Sequence, residues 1–186
     1  ARVFFPAIKR YEIIPGITSA QGASCYSEIP LTLRGVSSSA AFCTGHPVDM
    51  IQTPDADTIV YYMGASSVKD ITHKLLKNGW DKNTKAAVVY NASHINQKIF
   101  IDKIENIADN EISFSSPSII IIGKVVEQYI GKSWFEKKKK VLFTGTNPDK
   151  YSFLGEIIHE PMIKINPLND YSEIDGEINN IDTYTI

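Results

Sequence analysis

Residues 118–122 read Ser-Ile-Ile-Ile-Ile, opened by Pro117 and closed by Gly123, and this run constrains the fold more than any other segment. Successive side chains of a strand point to opposite faces, so an unbroken apolar run implies a strand covered on both sides. Other short β-rich runs occur at residues 11–14, 40–44, 58–62, 86–90, 98–101, 141–144 and 162–165. Helical patterns fall between them, and the alternation predicts an α/β fold.

The predicted helices have readable ends. Pro15-Gly16 ends the first strand as a turn, and Thr18 and Ser19 are placed to cap a helix that runs to about Glu28 before Pro30 stops it. Ser66 and Ser67 precede a second helix, where Val68, Ile71, Leu75 and Leu76 share one face and Asn78-Gly79 marks the stop. Ile104, Ile107 and Ala108 suggest a short third helix, and Ile174, Ile178 and Ile181 follow helical spacing.

Glu136 and the four lysines 137–140 read as a solvated linker. They divide the chain into a first domain part at 1–135, the linker at 136–140, and the opening of a second α/β domain at 141–186. The last 46 residues are too few to bury much of a core alone.

Bulk properties exclude several function classes. A net charge of −2 gives no basic surface for nucleic acid. The longest apolar run is broken by Gly123 and Lys124, so no membrane-spanning helix is expected. The opening residues do not form an export signal, and Cys25 and Cys43 lack disulfide or zinc spacing. Buried structural thiols and a cytoplasmic location are expected.

There is no phosphate-binding glycine loop, no dinucleotide fingerprint, no H-E-x-x-H and no G-x-S-x-G. His46, His73, His94 and His159 are scattered without ligand spacing, so neither a metal site nor a side-chain nucleophile is indicated. What remains is a set of strand-end loops rich in small residues, at 15–20, 44–47, 62–65 and 91–93. Such loops are where α/β proteins bind ligands, and equally they serve as plain turns.

The motifs PGITSA at 15–20, IPLTLRG at 29–35, TGH at 44–46, DTIVYYMG at 57–64, VVYNAS at 88–93, SPSIIIIGKVV at 116–126 and KSWF at 132–135 occur in one order. In that order and spacing they resemble the tetrapyrrole methylase family, and within it the uroporphyrinogen-III C-methyltransferases. The resemblance implies a methylase-like α/β lobe, a mixed sheet with flanking helices, in which S-adenosyl-L-methionine lies in a cleft between two lobes. It implies that Thr18 and Ser19 contact the cofactor's polar atoms, that Met63 packs on its apolar surface, and that Ala92 lies against the adenosine. The opening Ala-Arg-Val-Phe is similar to the family's segment after a glycine-glycine-aspartate element, which makes Val3 a further cofactor contact.

That pattern is broken after Phe4, where Phe5-Pro6 stands in place of a glycine-arginine-glycine-rich stretch. The family's acid/base residues are expected upstream of this chain, so no catalytic residue is assigned. The tail from Val141 resembles the start of a uroporphyrinogen-III synthase, implying a fusion of two enzymes. The implied reaction is methylation of uroporphyrinogen III at C2 and C7 to precorrin-2, for sirohaem and cobalamin, by a homodimer. The alternatives are a methylase of another precorrin and a non-catalytic dimerisation fragment.

Overall fold

The computed structural model describes residues 13–94, 96–109 and 112–135, together with the strand backbones at 140–144, 162–165 and 181–185. Strands β1 (Ala40–Thr44), β2 (Thr58–Tyr62), β3 (Lys85–Tyr90), β4 (Lys98–Lys103) and β5 (Ser118–Gly123) form one mixed sheet in the order β1-β2-β5-β3-β4. β1 and β2 are parallel, whereas β5 runs antiparallel to both of its neighbours, β2 and β3. Every residue of β5 is buried, as its isoleucine run predicts.

The pleat splits the core in two. Ile59, Tyr61, Ala86, Val88, Ile120 and Ile122 face one side. There they meet helix α2 (Val68–Lys77) through Val68, Ile71 and Leu75, and helix α3 (Ile104–Asp109) through Ile104 and Ile107. Burying each of these aliphatic side chains stabilises by about 1.5–3 kcal/mol. On the other side Val60, Ala87, Val89, Ile119 and Ile121 meet Ala20 and Ala23 of helix α1 (Ser19–Ser27), with Ile29, Val125 and Val126 completing that layer.

Local chemistry sets the ends. Thr18 is the N-cap of α1, and its Oγ1 accepts from the Gln21 N–H at 3.4 Å. Glu28 closes the helix in the left-handed region. α2 starts from a 3-10 turn at Ala65–Ser67, and Ser67 makes no side-chain capping bond, unlike the expected cap. Residues 132–135 fold back on α1: the Trp134 N–H donates to Glu28 Oε2 at 2.7 Å and its indole Nε1–H donates to the Cys25 carbonyl at 2.9 Å. Trp134 and Phe135 also pack on the Tyr26 ring.

Three expectations are corrected. Ile13 and Ile14 are not in a strand and are 74% and 82% exposed, because no described strand pairs with them; Tyr11 lies outside the described residues. Ile181 opens a strand, β8 (Ile181–Thr185), where helical spacing had pointed to a helix; Ile174 and Ile178 lie outside the described residues. Cys25 is exposed, while Cys43 is half-buried against the α2 side of the sheet, where desolvation raises its thiol pKa. Strands β6 (Lys140–Thr144), β7 (Met162–Ile165) and β8 form a second, all-parallel sheet in the order β7-β6-β8.

The loops after β1 and β2 touch at two glycines. A Cβ at Gly45 would lie 2.6 Å from the Gly64 Cα, whereas one at Gly64 would crowd the side-chain tips of Ile120 and Ile71, at 2.6 and 2.9 Å, and meet the Gly45 Cα only at an ordinary 3.6 Å. Backbone cannot yield as a side-chain tip can. Gly45→Ala should therefore destabilise by about 1–3 kcal/mol, and more than Gly64→Ala, in urea denaturation. Equal or negligible losses would show that the two loops are not in contact.

At the opposite end of β2, Asp57 accepts hydrogen bonds from Ser38 Oγ and the Ser38 N–H, both at 2.7 Å, and from Ser39 Oγ at 3.3 Å. The Ser38 bonds chiefly hold its carboxyl below the usual carboxylate range. A depressed folded-state pKa contributes stability above the unfolded value, about 3.9, and loses it as pH falls through the folded value. Acid titration of stability should show this loss below about pH 4, and Asp57→Asn should remove that component of it.

Candidate functional site

The antiparallel placement of β5 creates the site. Because β5 runs against β2 and β3, its first residues lie between the carboxyl ends of those two strands. The segment Ser116-Pro117-Ser118 thus meets Tyr62 and Met63 after β2, and Asn91 to His94 after β3. The first turn of α1 closes the side. Together they line a cleft of about 600 Å³, with Ile17, Thr18, Ser19, Gly22 and Ala23 on the helix wall. That volume lies inside the range of small-molecule sites.

The helix wall is built from small residues. Ser19, Gly22 and Ala23 are spaced to share one face of α1, and a Cβ at Gly22 would meet nothing within 4 Å. A ligand can therefore lie directly along the helix backbone. The opposite wall is apolar, from Val89, Ile119 and Met63, the last 69% exposed.

Among the described residues, three of the four non-glycine residues with positive φ line this cleft: Met63 at 54°, Asn91 at 45° and Ser93 at 72°. Each costs about 1–3 kcal/mol, and such strain persists only where neighbours enforce it. For the loop after β3 the enforcers are visible. The Asn91 N–H donates to the Pro117 carbonyl at 3.0 Å. The Ser93 N–H donates to Gln97 Oε1 at 3.0 Å, and Gln97 Nε2 donates to the Tyr26 carbonyl at 3.0 Å. Gln97, 5% exposed, thereby joins the strained loop to the far end of α1, so two walls of the cleft share one amide.

Thr18, Ser19, Met63 and Ala92, expected from sequence to belong to one site, all line this cleft. Val3 lies outside the described residues. Of the strand-end loops, 44–47 does not line the cleft; Gly45 instead packs beneath Gly64, next to Met63. Sequence reasoning did not single out Gly22, Gln97 or His94. Only the buried, doubly bonded state of Gln97 reveals it, since a glutamine in a polar loop carries no pattern. His94 stands at the cleft with Nδ1 3.3 Å from the Ala92 carbonyl. Among the described residues no aspartate, glutamate, lysine or arginine lines the cleft, and the residues that do line it offer shape, hydroxyls and backbone groups. Among the described residues no cluster of potential metal ligands occurs, and no helix is long and apolar enough to cross a membrane.

The profile of the tetrapyrrole (corrin/porphyrin) methylases matches residues 5–108. The chain is 38% identical over 140 residues to a uroporphyrinogen-III C-methyltransferase of Bacillus subtilis (strain 168), covering 70% of this chain and 54% of that one. A porphyrin biosynthesis protein, HemD, of Ruminiclostridium josui is 32% identical over 195 residues, covering 94% of this chain and 39% of that one. Among solved structures, a uroporphyrin-III C-methyl transferase from Thermus thermophilus complexed with S-adenyl homocysteine aligns with a TM-score of 0.55 at 27% identity, over 63% of this chain and 54% of that one. The chain thus spans about half the length, or less, of these relatives.

Replacing Gln97 with the near-isosteric methionine would leave the Ser93 N–H and the Tyr26 carbonyl unpaired. Stability should fall by about 1–3 kcal/mol, and the Ser93 amide should exchange hydrogen at least roughly tenfold faster, as expected for a lost local hydrogen bond. An unaltered Ser93 exchange rate in Gln97→Met would mean that the amide does not hold the loop.

Proposed function

The chain belongs to the tetrapyrrole (corrin/porphyrin) methylase family, and on that footing we propose that it is part of an S-adenosyl-L-methionine-dependent methyltransferase acting on uroporphyrinogen III. The observation that carries this reading is the single cleft in which Thr18, Ser19, Met63 and Ala92, from three separated stretches of chain, meet. Support comes from the Thermus thermophilus relative, whose structure holds S-adenyl homocysteine. The donor set fits such a molecule. Small residues on α1 leave room for it, hydroxyls of Thr18 and Ser19 face its polar groups, and Met63 offers a flexible thioether to its apolar surface.

The bound cofactor supplies an electrophilic methyl group on a sulfonium centre. The acceptor is an electron-rich pyrrole carbon, at C2 and then C7, giving precorrin-2. This chain's residues orient rather than attack. Thr18 and Ser19 would hold polar groups of the cofactor, Ala92 and the strained loop around it would take its adenosine, and Met63 with Val89 and Ile119 would exclude water from the cleft. The hydroxyl, amide and apolar groups that line the cleft among the described residues suit this role, because the nucleophile belongs to the substrate.

The all-parallel sheet β7-β6-β8 and the Ruminiclostridium josui relative, which aligns over nearly the whole chain, support a second α/β domain beginning after the lysine run. We assign it as the opening of a uroporphyrinogen-III synthase, the enzyme that makes the methylase's substrate. The working enzyme is a homodimer in this reading.

Calorimetric titration of S-adenosylhomocysteine should show saturable one-site binding to this chain. Gly22→Leu should weaken it by at least about tenfold by filling the cleft, while helix propensity raises or preserves stability by up to about 1 kcal/mol. Loss of affinity with intact thermal stability would place the ligand along α1. A chain that binds no S-adenosylhomocysteine would overturn the methylase reading of the cleft.

A further inference from the structure

Tyr62 stands between the cleft and the edge strand β1. Its ring lines the cleft and stacks on Phe42 of the edge strand β1, with centroids 6.2 Å apart and planes 25° apart. Its hydroxyl donates to Thr18 Oγ1 at 3.1 Å. The same Thr18 oxygen accepts from the Gln21 N–H as the helix N-cap.

A threonine hydroxyl has two acceptor positions and one proton. Both acceptor positions of Thr18 are taken by protein donors, Tyr62 and Gln21. The remaining valence is the O–H proton, and among the described residues it has no protein acceptor. Thr18 is exposed in the cleft, so that proton is available to a ligand.

We infer that Tyr62 is a positioning residue that makes Thr18 an obligatory hydrogen-bond donor to the bound cofactor. This rests on the methyltransferase reading of the cleft and adds a rule of recognition to it. The ligand atom that faces Thr18 must be an acceptor: a carboxylate oxygen, a ribose oxygen or an adenine ring nitrogen. The ammonium group and the exocyclic adenine amine are excluded from that position, because both are donors only. Without the Tyr62 hydroxyl, Thr18 regains a free acceptor position and its proton is no longer directed.

Tyr62 acts here through its hydroxyl on Thr18, whereas a residue that merely shapes the wall acts through its ring. A Tyr62→Phe change keeps the ring, its stacking on Phe42 and the cleft volume, and removes only the oxygen. A direct wall contact would therefore survive it.

The test is a double-mutant cycle read by calorimetric titration of S-adenosylhomocysteine into the full chain. Tyr62→Phe should weaken binding about three- to tenfold, the scale of one hydrogen bond. Thr18→Val should weaken it by at least as much, and adding Tyr62→Phe to it should cause no further loss, because the two act through one oxygen. Thr18→Ser, which keeps hydroxyl and cap, should remain sensitive to Tyr62→Phe. That variant carries the test if loss of the cap unfolds Thr18→Val. Unchanged affinity in Tyr62→Phe overturns the inference, as does an equal loss with and without the Thr18 hydroxyl. Failure of the wild-type chain to bind is a different result: it removes the methyltransferase reading, and this inference with it.

Discussion

The structure depends on one strand buried on both faces. β5 carries four consecutive isoleucines, and no single apolar layer can cover them all. Ile120 and Ile122 require α2 and α3 on one side, while Ile119 and Ile121 require α1 and the 3-10 turn at Lys124–Gln128 on the other. Once β5 is inserted antiparallel between β2 and β3, its entry loop lies where those two strands end. The cleft is thus a consequence of how the core is satisfied. The hydrophobic demand of the strand and the location of the site are one constraint seen from two ends.

What surrounds the cleft is held by polar contacts rather than by packing. Met63, Asn91 and Ser93 sit in the left-handed backbone region, and the last two are fixed by the Pro117 carbonyl and the Gln97 amide. Gln97 also reaches the Tyr26 carbonyl, and Trp134 reaches Cys25 and Glu28 in the same turn of α1. The carboxyl end of α1 is therefore clamped while its amino end faces the cleft. A ligand site lined by small residues gains little rigidity from packing within the cleft, so its geometry is kept from behind.

Glycine governs the second constraint. Gly45 and Gly64 let the loops after β1 and β2 cross at backbone contact, and Ile71 of α2 fills the notch beside them. Met63, next to Gly64, is thereby presented outward instead of folding into the core. The PGITSA, TGH and YYMG motifs, separated by tens of residues, converge on one corner of the sheet, though only the first and last line the cleft.

Much of this was legible in the residues themselves. Alternation and apolar runs located β1 to β5 and the two larger helices, because each element's pattern is set locally by which faces it must bury. Thr18 caps α1 as its hydroxyl predicts, and the helix ends at Glu28, just before the Pro30 expected to stop it; Thr18, Ser19, Met63 and Ala92 were grouped only through the family resemblance of their motifs. The sequence could not reveal what distance along the chain conceals: Gln97 reaching back 71 residues to Tyr26, or Tyr62 reaching 44 residues to Thr18. It misread Ile13, Ile14 and Ile181, where apolar spacing carried no information on whether a partner strand existed. Local pattern determines which residues want to be buried and where elements begin. Only tertiary structure decides which elements meet, because hydrogen bonds between distant residues and close backbone crossings depend on positions in space that no one-dimensional period encodes.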